Sequence, residues 1–156
     1  MVCLGFGKLH HGAGMQMTKD GTGLYYKQMW PLIENSQIAG DIGLHFDNTQ
    51  RQIYMFVFDN HYQSIILDIS VGYQHELFSD KLAGAFRPIL MVQTGGLSEK
   101  HSFTNDNITG IWMIKYILGL GIQFYNGMVL NEISLKFIQS EAMKGHAAFQ
   151  LAFYWK

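Results

Sequence analysis

Apolar side chains recur at every second position along this chain, most plainly over residues 109–124, TGIWMIKYILGLGIQF. Gly110, Trp112, Ile114, Tyr116, Leu118, Leu120, Ile122 and Phe124 form one file, bulky apart from its glycine. Thr109, Ile111, Met113, Lys115, Ile117, Gly119, Gly121 and Gln123 form the other, mixed, small and partly polar. Successive side chains of a strand point to opposite faces, so a period of two predicts a strand. A helix would scatter Lys115, Gln123 and the glycines around its axis. A strand of this length suits a tilted barrel better than an ordinary soluble sheet.

The same alternation predicts seven further strands. The first lies within 2–17, where Val2, Leu4 and Phe6 oppose Cys3, Gly5 and Gly7, and a Tyr-rich second runs from Gly23 to Trp30. Gln37 to Phe46, Tyr62 to Leu77, Phe86 to Thr94, Val129 to Ser140 and His146 to Lys156 complete the set. Lys19-Asp20-Gly21-Thr22 is a tight-turn signal, because Asp-Gly tolerates positive φ. Pro31 is expected to end pairing before a turn at Glu34-Asn35-Ser36. Turns are also expected at 78–85, 125–128 and 141–145, and wider loops at 47–61 and 95–107, with 53–58 an extension of uncertain type. Short turns alternating with longer loops, and an even count of hairpin-linked strands that can close on itself, predict one fold class. It is an all-β, eight-stranded antiparallel up-and-down transmembrane β-barrel, forming a single domain over 1–156.

Composition bears on which face looks outward. Charged residues make up 15% of the chain and aromatics 14%, and the net charge is -1, against roughly 25% charged in ordinary soluble domains. A water-facing sheet face would be dense in Lys and Glu. Here the polar files are mostly Gly, Ala, Ser, Gln and Thr with isolated charges, which suits a narrow lumen. Asp41, Asp68, Glu76, Arg87, Lys115, Glu132 and Lys136 are the candidates for that interior, where opposite charges must pair because unpaired buried charge is costly. Trp30, Trp112, Tyr116, Phe124, Phe153 and Trp155 fall where interfacial aromatic belts are expected. No apolar run is long enough for a transmembrane helix. The opening MVCLGFGKLHHGAG has no basic region followed by an apolar stretch, so no signal peptide is read in it.

Two stretches add a resemblance. YQHELFSDKLAGAFRPILMVQTGG (Tyr73 to Gly96) and the terminal HAAFQLAFYWK resemble small outer-membrane β-barrel proteins of Gram-negative bacteria. They are of the outer-membrane protein A/X type and of the kind common in Bacteroidota. Leu77-Phe78-Ser79 and Phe86-Arg87-Pro88 carry the specific part of it. The resemblance implies an outer-membrane location, a lipid bilayer with lipopolysaccharide as surroundings, and delivery by the barrel-assembly machinery. That machinery reads an aromatic-rich last strand, which here is followed by Lys156.

Chemistry is less visible. His10 and His11 are adjacent and would face opposite sides of a strand, while His45, His75 and His146 fall on different strands. His101, Ser102 and Asp106 could form a hydrolase-like set but have no motif spacing. Cys3 alone permits no internal disulfide. Asn107-Ile108-Thr109 matches a glycosylation sequon by chance, and Gly5 to Gly14 lacks the features of a phosphate loop. No metal, cofactor or nucleic-acid partner is expected. The expected role is structural or surface-interaction, with the lumen plugged by side chains and partners met through 47–61 and 95–107. Two alternatives stay open: a soluble lipocalin-like barrel holding an apolar ligand, and an outer-membrane lipid-modifying enzyme.

Overall fold

The computed structural model describes residues 9–19, 21–33, 35–49, 62–77, 86–102, 107–108, 112–140 and 145–155. Its strands are β1 (His10–Thr18), β2 (Gly21–Ile33), β3 (Ser36–Thr49), β4 (Tyr62–Glu76) and β5 (Phe86–Ser102), then the two-residue β6 (Asn107–Ile108). β7 (Trp112–Asn126), β8 (Val129–Ser140) and β9 (His146–Trp155) follow. β6 pairs only with the end of β5. The other eight form a ring, each antiparallel to its neighbours, with β5 paired to β7 and β9 closing on β1. Closure leaves no unpaired edge in the ring.

The register fixes the shape of that ring. From Lys115 on β7, partners run through Gly95, Ser70, Asp41, Lys27, Gly12, Tyr154 and Leu130, and the walk returns to β7 at Tyr125. The return lies ten residues further along the same strand. Strands staggered in this way tilt by about 35–45° to the barrel axis, and eight of them enclose a space that side chains fill.

The start of β1, the end of β9 and the strand ends at Ile33, Ser36, Glu76, Phe86, Asn126 and Val129 lie at one end of the ring, called here the terminal end. Thr18, Gly21, Thr49, Tyr62, Ser102, Trp112, Ser140 and His146 lie at the other, the loop end. The tight turn after β7 has Gly127 at φ 62°, a left-handed conformation that suits glycine.

The sequence reading needs correction at three places. Pro31 does not end pairing: β2 continues to Ile33, with Pro31 opposite Gln37 and an irregularity in register between Pro31 and Ile33. A proline is tolerated there because a bulge spares one ladder donor. β3 runs on to Thr49 and β5 to Ser102, where loops are expected from 47 and from 95. Polar and glycine residues stay extended there because neighbours on both sides supply backbone partners: Gly95 lies between Ser70 and Lys115. The expected strand positions 2–8, the run 53–58, the turn 78–85 and residues 109–111 fall outside the described residues.

Candidate functional site

Alternation sorts the long strands into an outward file that is mostly apolar and an inward file that holds the buried polar and charged groups. On β7, Trp112, Ile114, Tyr116, Leu118 and Leu120 are all exposed, with Leu118 at 56%, whereas Lys115 is 1% exposed. On β8, Ile133, Leu135 and Phe137 are exposed while Glu132, Ser134 and Lys136 are buried. A soluble barrel has the opposite distribution. With apolar side chains outside, the wall is suited to hydrocarbon and the interior is where polar groups meet.

Inside, charges are matched in two clusters. In the larger, Asp41 is held on both oxygens, by Lys27 Nζ at 3.0 Å and Lys136 Nζ at 3.0 Å. Lys27 also approaches Glu132 Oε1 at 3.8 Å and donates to Gln150 Oε1 at 2.8 Å. Lys136 donates to Gln93 Oε1 at 3.1 Å. Glu132 Oε2 accepts from Gln123 Nε2 at 2.9 Å and from the Tyr154 hydroxyl at 3.2 Å. In the smaller cluster, Lys115 donates to Asp68, whose other oxygen accepts from the Tyr25 hydroxyl at 3.1 Å. Three buried lysines face three buried carboxylates, so the described interior carries no net charge. Balance matters here because each ion removed from water costs several kcal/mol unless it is paired and hydrogen-bonded.

The seven charges singled out in the sequence do not all share this environment. Asp41, Asp68, Lys115, Glu132 and Lys136 are buried in the lumen. Glu76 and Arg87 pair with each other at 3.5 Å at the terminal end, where the Arg87 side chain is 45% exposed and also lies over the Tyr125 ring. Lys27, the hub of the larger cluster, was missed, together with Tyr25 and Tyr154. The signal was available: Leu24 and Tyr26 are apolar or aromatic on one file of β2, and Lys27 shares the other with Gly23, Tyr25 and Met29.

Two clusters of buried apolar side chains flank the charged interior. Met29, Ala39, Leu130, Ala152 and Tyr154 cluster toward the terminal end. Ile117, Ile138 and Ala148 cluster toward the loop end. A cleft at the loop end, lined in part by Gln16, Thr18, Tyr25, His45, Asp68 and His146, holds about 20 Å³, room for about one water.

On the outer wall, Trp112, Tyr116, Phe153 and Trp155 are exposed, while Trp30 and Phe124 are half-buried. Trp30 and Trp112 rest over Gly40 and Gly96 of the neighbouring strands. Trp112 stands near the loop end, with Tyr116 two pleat repeats further in. Trp30, Phe124, Phe153 and Trp155 stand near the terminal end. His101 and Ser102 lie at the end of β5, and Asp106 falls outside the described residues. No group of three or more His, Cys, Asp or Glu converges as metal ligands among the described residues.

No protein-family model and no curated protein matches the sequence. Solved structures do. The chain is similar to Neisserial surface protein A, with a TM-score of 0.68 at 8% identity over 95% of each chain. It is similar to the N-terminal β-barrel domain of Pseudomonas aeruginosa OprF, with a TM-score of 0.66 at 10% identity over 94% of this chain and 95% of that one. The Yersinia pestis outer membrane protein Ail, solved in a phospholipid bilayer nanodisc, has a TM-score of 0.56 at 12% identity, covering 96% of this chain and 99% of that one. The fold is that of a small outer-membrane β-barrel. Identities this low establish the architecture of the barrel and not its role.

Proposed function

We propose that this protein is a small barrel of a Gram-negative outer membrane whose lumen is plugged and whose role is structural and surface-interacting rather than catalytic. The observation that supports it best is the inversion of polarity across the wall. An apolar, aromatic-bounded exterior surrounds an interior in which Lys27, Lys115 and Lys136 are neutralised by Asp41, Asp68 and Glu132. On this reading, ion pairs that join strands across the lumen, Lys136 with Asp41 and Lys115 with Asp68, close it to a continuous aqueous path and tie the strands together. Function then falls to the ends of the molecule. The connections at 50–61 and 103–111, beyond the extended β3 and β5, are the surfaces offered to a partner or to lipopolysaccharide. Assembly through the barrel-insertion machinery fits the aromatic file of β9, Phe149, Phe153 and Trp155.

Heat-modifiable migration tests the membrane reading. The protein in detergent should run as a compact band that shifts on boiling, with β-rich circular dichroism only in detergent or lipid. A soluble, monodisperse β-rich protein without detergent refutes it. Planar-bilayer recording tests the plug: no stable conductance is expected, and a persistent open channel would contradict it.

A further inference from the structure

Three of the interior polar atoms that have no hydrogen-bond partner among the described residues stand together: Glu132 Oε1, Ser134 Oγ and Gln150 Nε2, all on buried side chains. Glu132 and Ser134 are successive members of the inward file of β8, and Gln150 of β9 is the cross-strand partner of Ser134. Opposite residues on neighbouring strands have Cβ atoms about 4.5–5.5 Å apart, so these side chains share one patch of the wall. Lys27 reaches the same patch from β2. Its Nζ lies 2.8 Å from Gln150 Oε1 and 3.8 Å from Glu132 Oε1.

Neighbouring groups fix what each of these atoms can do. An ammonium has only donors, so the Gln150 atom that meets Lys27 is the carbonyl oxygen, and the amide nitrogen, which can only donate, is directed elsewhere. Glu132 Oε2 accepts from Gln123 and from the Tyr154 hydroxyl, which leaves Oε1 as the free acceptor. At 3.8 Å the approach of Lys27 to Oε1 is a charge contact and too long for a hydrogen bond. The patch thus presents N–H donors on Gln150 and Lys27, an acceptor on Glu132, and a Ser134 hydroxyl that serves as either. Unpaired in the interior, these groups carry the full cost of their desolvation. Their complement is small, uncharged, and both a donor and an acceptor. A cation there would meet Lys27 and an anion would meet Glu132. Water fits, because a buried water typically makes about three hydrogen bonds to such groups.

We propose that Glu132, Ser134 and Gln150, with Lys27 alongside, form the seat of one resident water. It accepts from Gln150 Nε2, donates to Glu132 Oε1 and has the Ser134 hydroxyl as its third partner. Such a water joins β8 to β9 and bridges Glu132 to the lysine that reaches it only at the longer distance. The inference rests on the plugged lumen proposed above and deepens it, from a plug of side chains to one that includes a bound solvent molecule.

The test is a crystal structure of the wild-type protein at a resolution that orders interior waters, together with urea denaturation of Ser134→Ala in detergent. A discrete density peak within hydrogen-bond distance of both Gln150 Nε2 and Glu132 Oε1 is expected. Ser134→Ala should lower the unfolding midpoint by about 0.5 M, the effect of one ordinary hydrogen bond at the usual urea slope. Side chains in direct contact there, with no density between them, overturn the seat and leave the plug standing. A midpoint unchanged or raised in Ser134→Ala does the same, because losing a hydroxyl that bonds nothing does not destabilise. A continuous column of density through the lumen, with a persistent channel in planar bilayers, overturns both. Should Ser134→Ala give no heat-modifiable band, the wild-type density decides alone.

Discussion

Replacing Lys27 by Met is the sharpest perturbation of the interior. The side chain is fully buried and bridges two carboxylates, Asp41 at 3.0 Å and Glu132 at 3.8 Å. Methionine fills a similar length of lumen, so the change removes charge more than volume. Afterwards Lys136 still serves Asp41, but Glu132 keeps only its neutral donors Gln123 and Tyr154, and the cluster has one anion in excess. Removing one partner of a buried pair typically costs about 3–5 kcal/mol. With a urea slope of about 2 kcal/mol per M, the unfolding midpoint in detergent or lipid should fall by about 1.5–2.5 M, read by tryptophan fluorescence. Lys27→Met/Glu132→Gln restores neutrality and keeps an acceptor for Tyr154, so it should recover most of the loss. A single variant within about 1 kcal/mol of wild type, or a double variant no better than the single, would refute charge balance as what holds the lumen together.

Other positions separate the effects that this one combines. Arg87→Ala removes an ion pair that water reaches, so it should cost under about 1 kcal/mol in the same denaturation assay. A loss as large as that of Lys27→Met would place Arg87 in the interior. Gly95→Ala should be severe, because an added Cβ would collide with the Ile69 carbonyl oxygen on β4. Loss of the heat-modifiable band, or a midpoint lowered beyond that of Arg87→Ala, is expected, and an unaffected barrel would contradict the β4–β5 approach. Gly127→Ala meets nothing within 4 Å and is strained only through its φ of 62°, so it should cost about 1 kcal/mol, with Gly127→Asn milder. Lipids brominated near the headgroup should quench tryptophan emission more than lipids brominated at the chain ends, because Trp30, Trp112 and Trp155 stand toward the ends of the wall. Equal quenching at both depths would argue against the aromatic belts.

Much of this architecture is legible in the chain because a barrel strand writes its environment in a period of two. The β7 file of Trp112, Ile114, Tyr116, Leu118 and Leu120 states both the strand and its exposed face, and the eight ring strands follow from the same rule. Strand ends are harder to read. Beyond the apolar band, β5 enters surroundings where Ser98 costs little, so composition turns loop-like while backbone pairing continues along both β3 and β5. Pro31 misleads for a related reason, since one missing donor is absorbed where the register slips. The charge network was half legible. Parity on β3, β4, β7 and β8 assigns Asp41, Asp68, Lys115, Glu132 and Lys136 to the polar file, but which lysine meets which carboxylate depends on the stagger around the ring. Residues as far apart as Asp41 and Lys136 are adjacent only through that stagger. Lys27 was overlooked because the tyrosines around it, Tyr25 and Tyr26, blur the alternation of β2.

The ten-residue stagger also governs how this molecule can change its length. An even offset lets inside meet inside at every seam, and a single residue deleted within β8 would present Glu132 or Lys136 to lipid and turn Leu135 inward. Insertions and deletions of one residue are thus costly within the lipid-facing span, absorbed at a strand end such as the register slip after Pro31, and cheapest in the connections. Lineages carrying this chain should diverge in loop length at 50–61 and 103–106 while their strands keep count, and a tag or epitope inserted at those sites should be carried without disturbing the barrel beneath it.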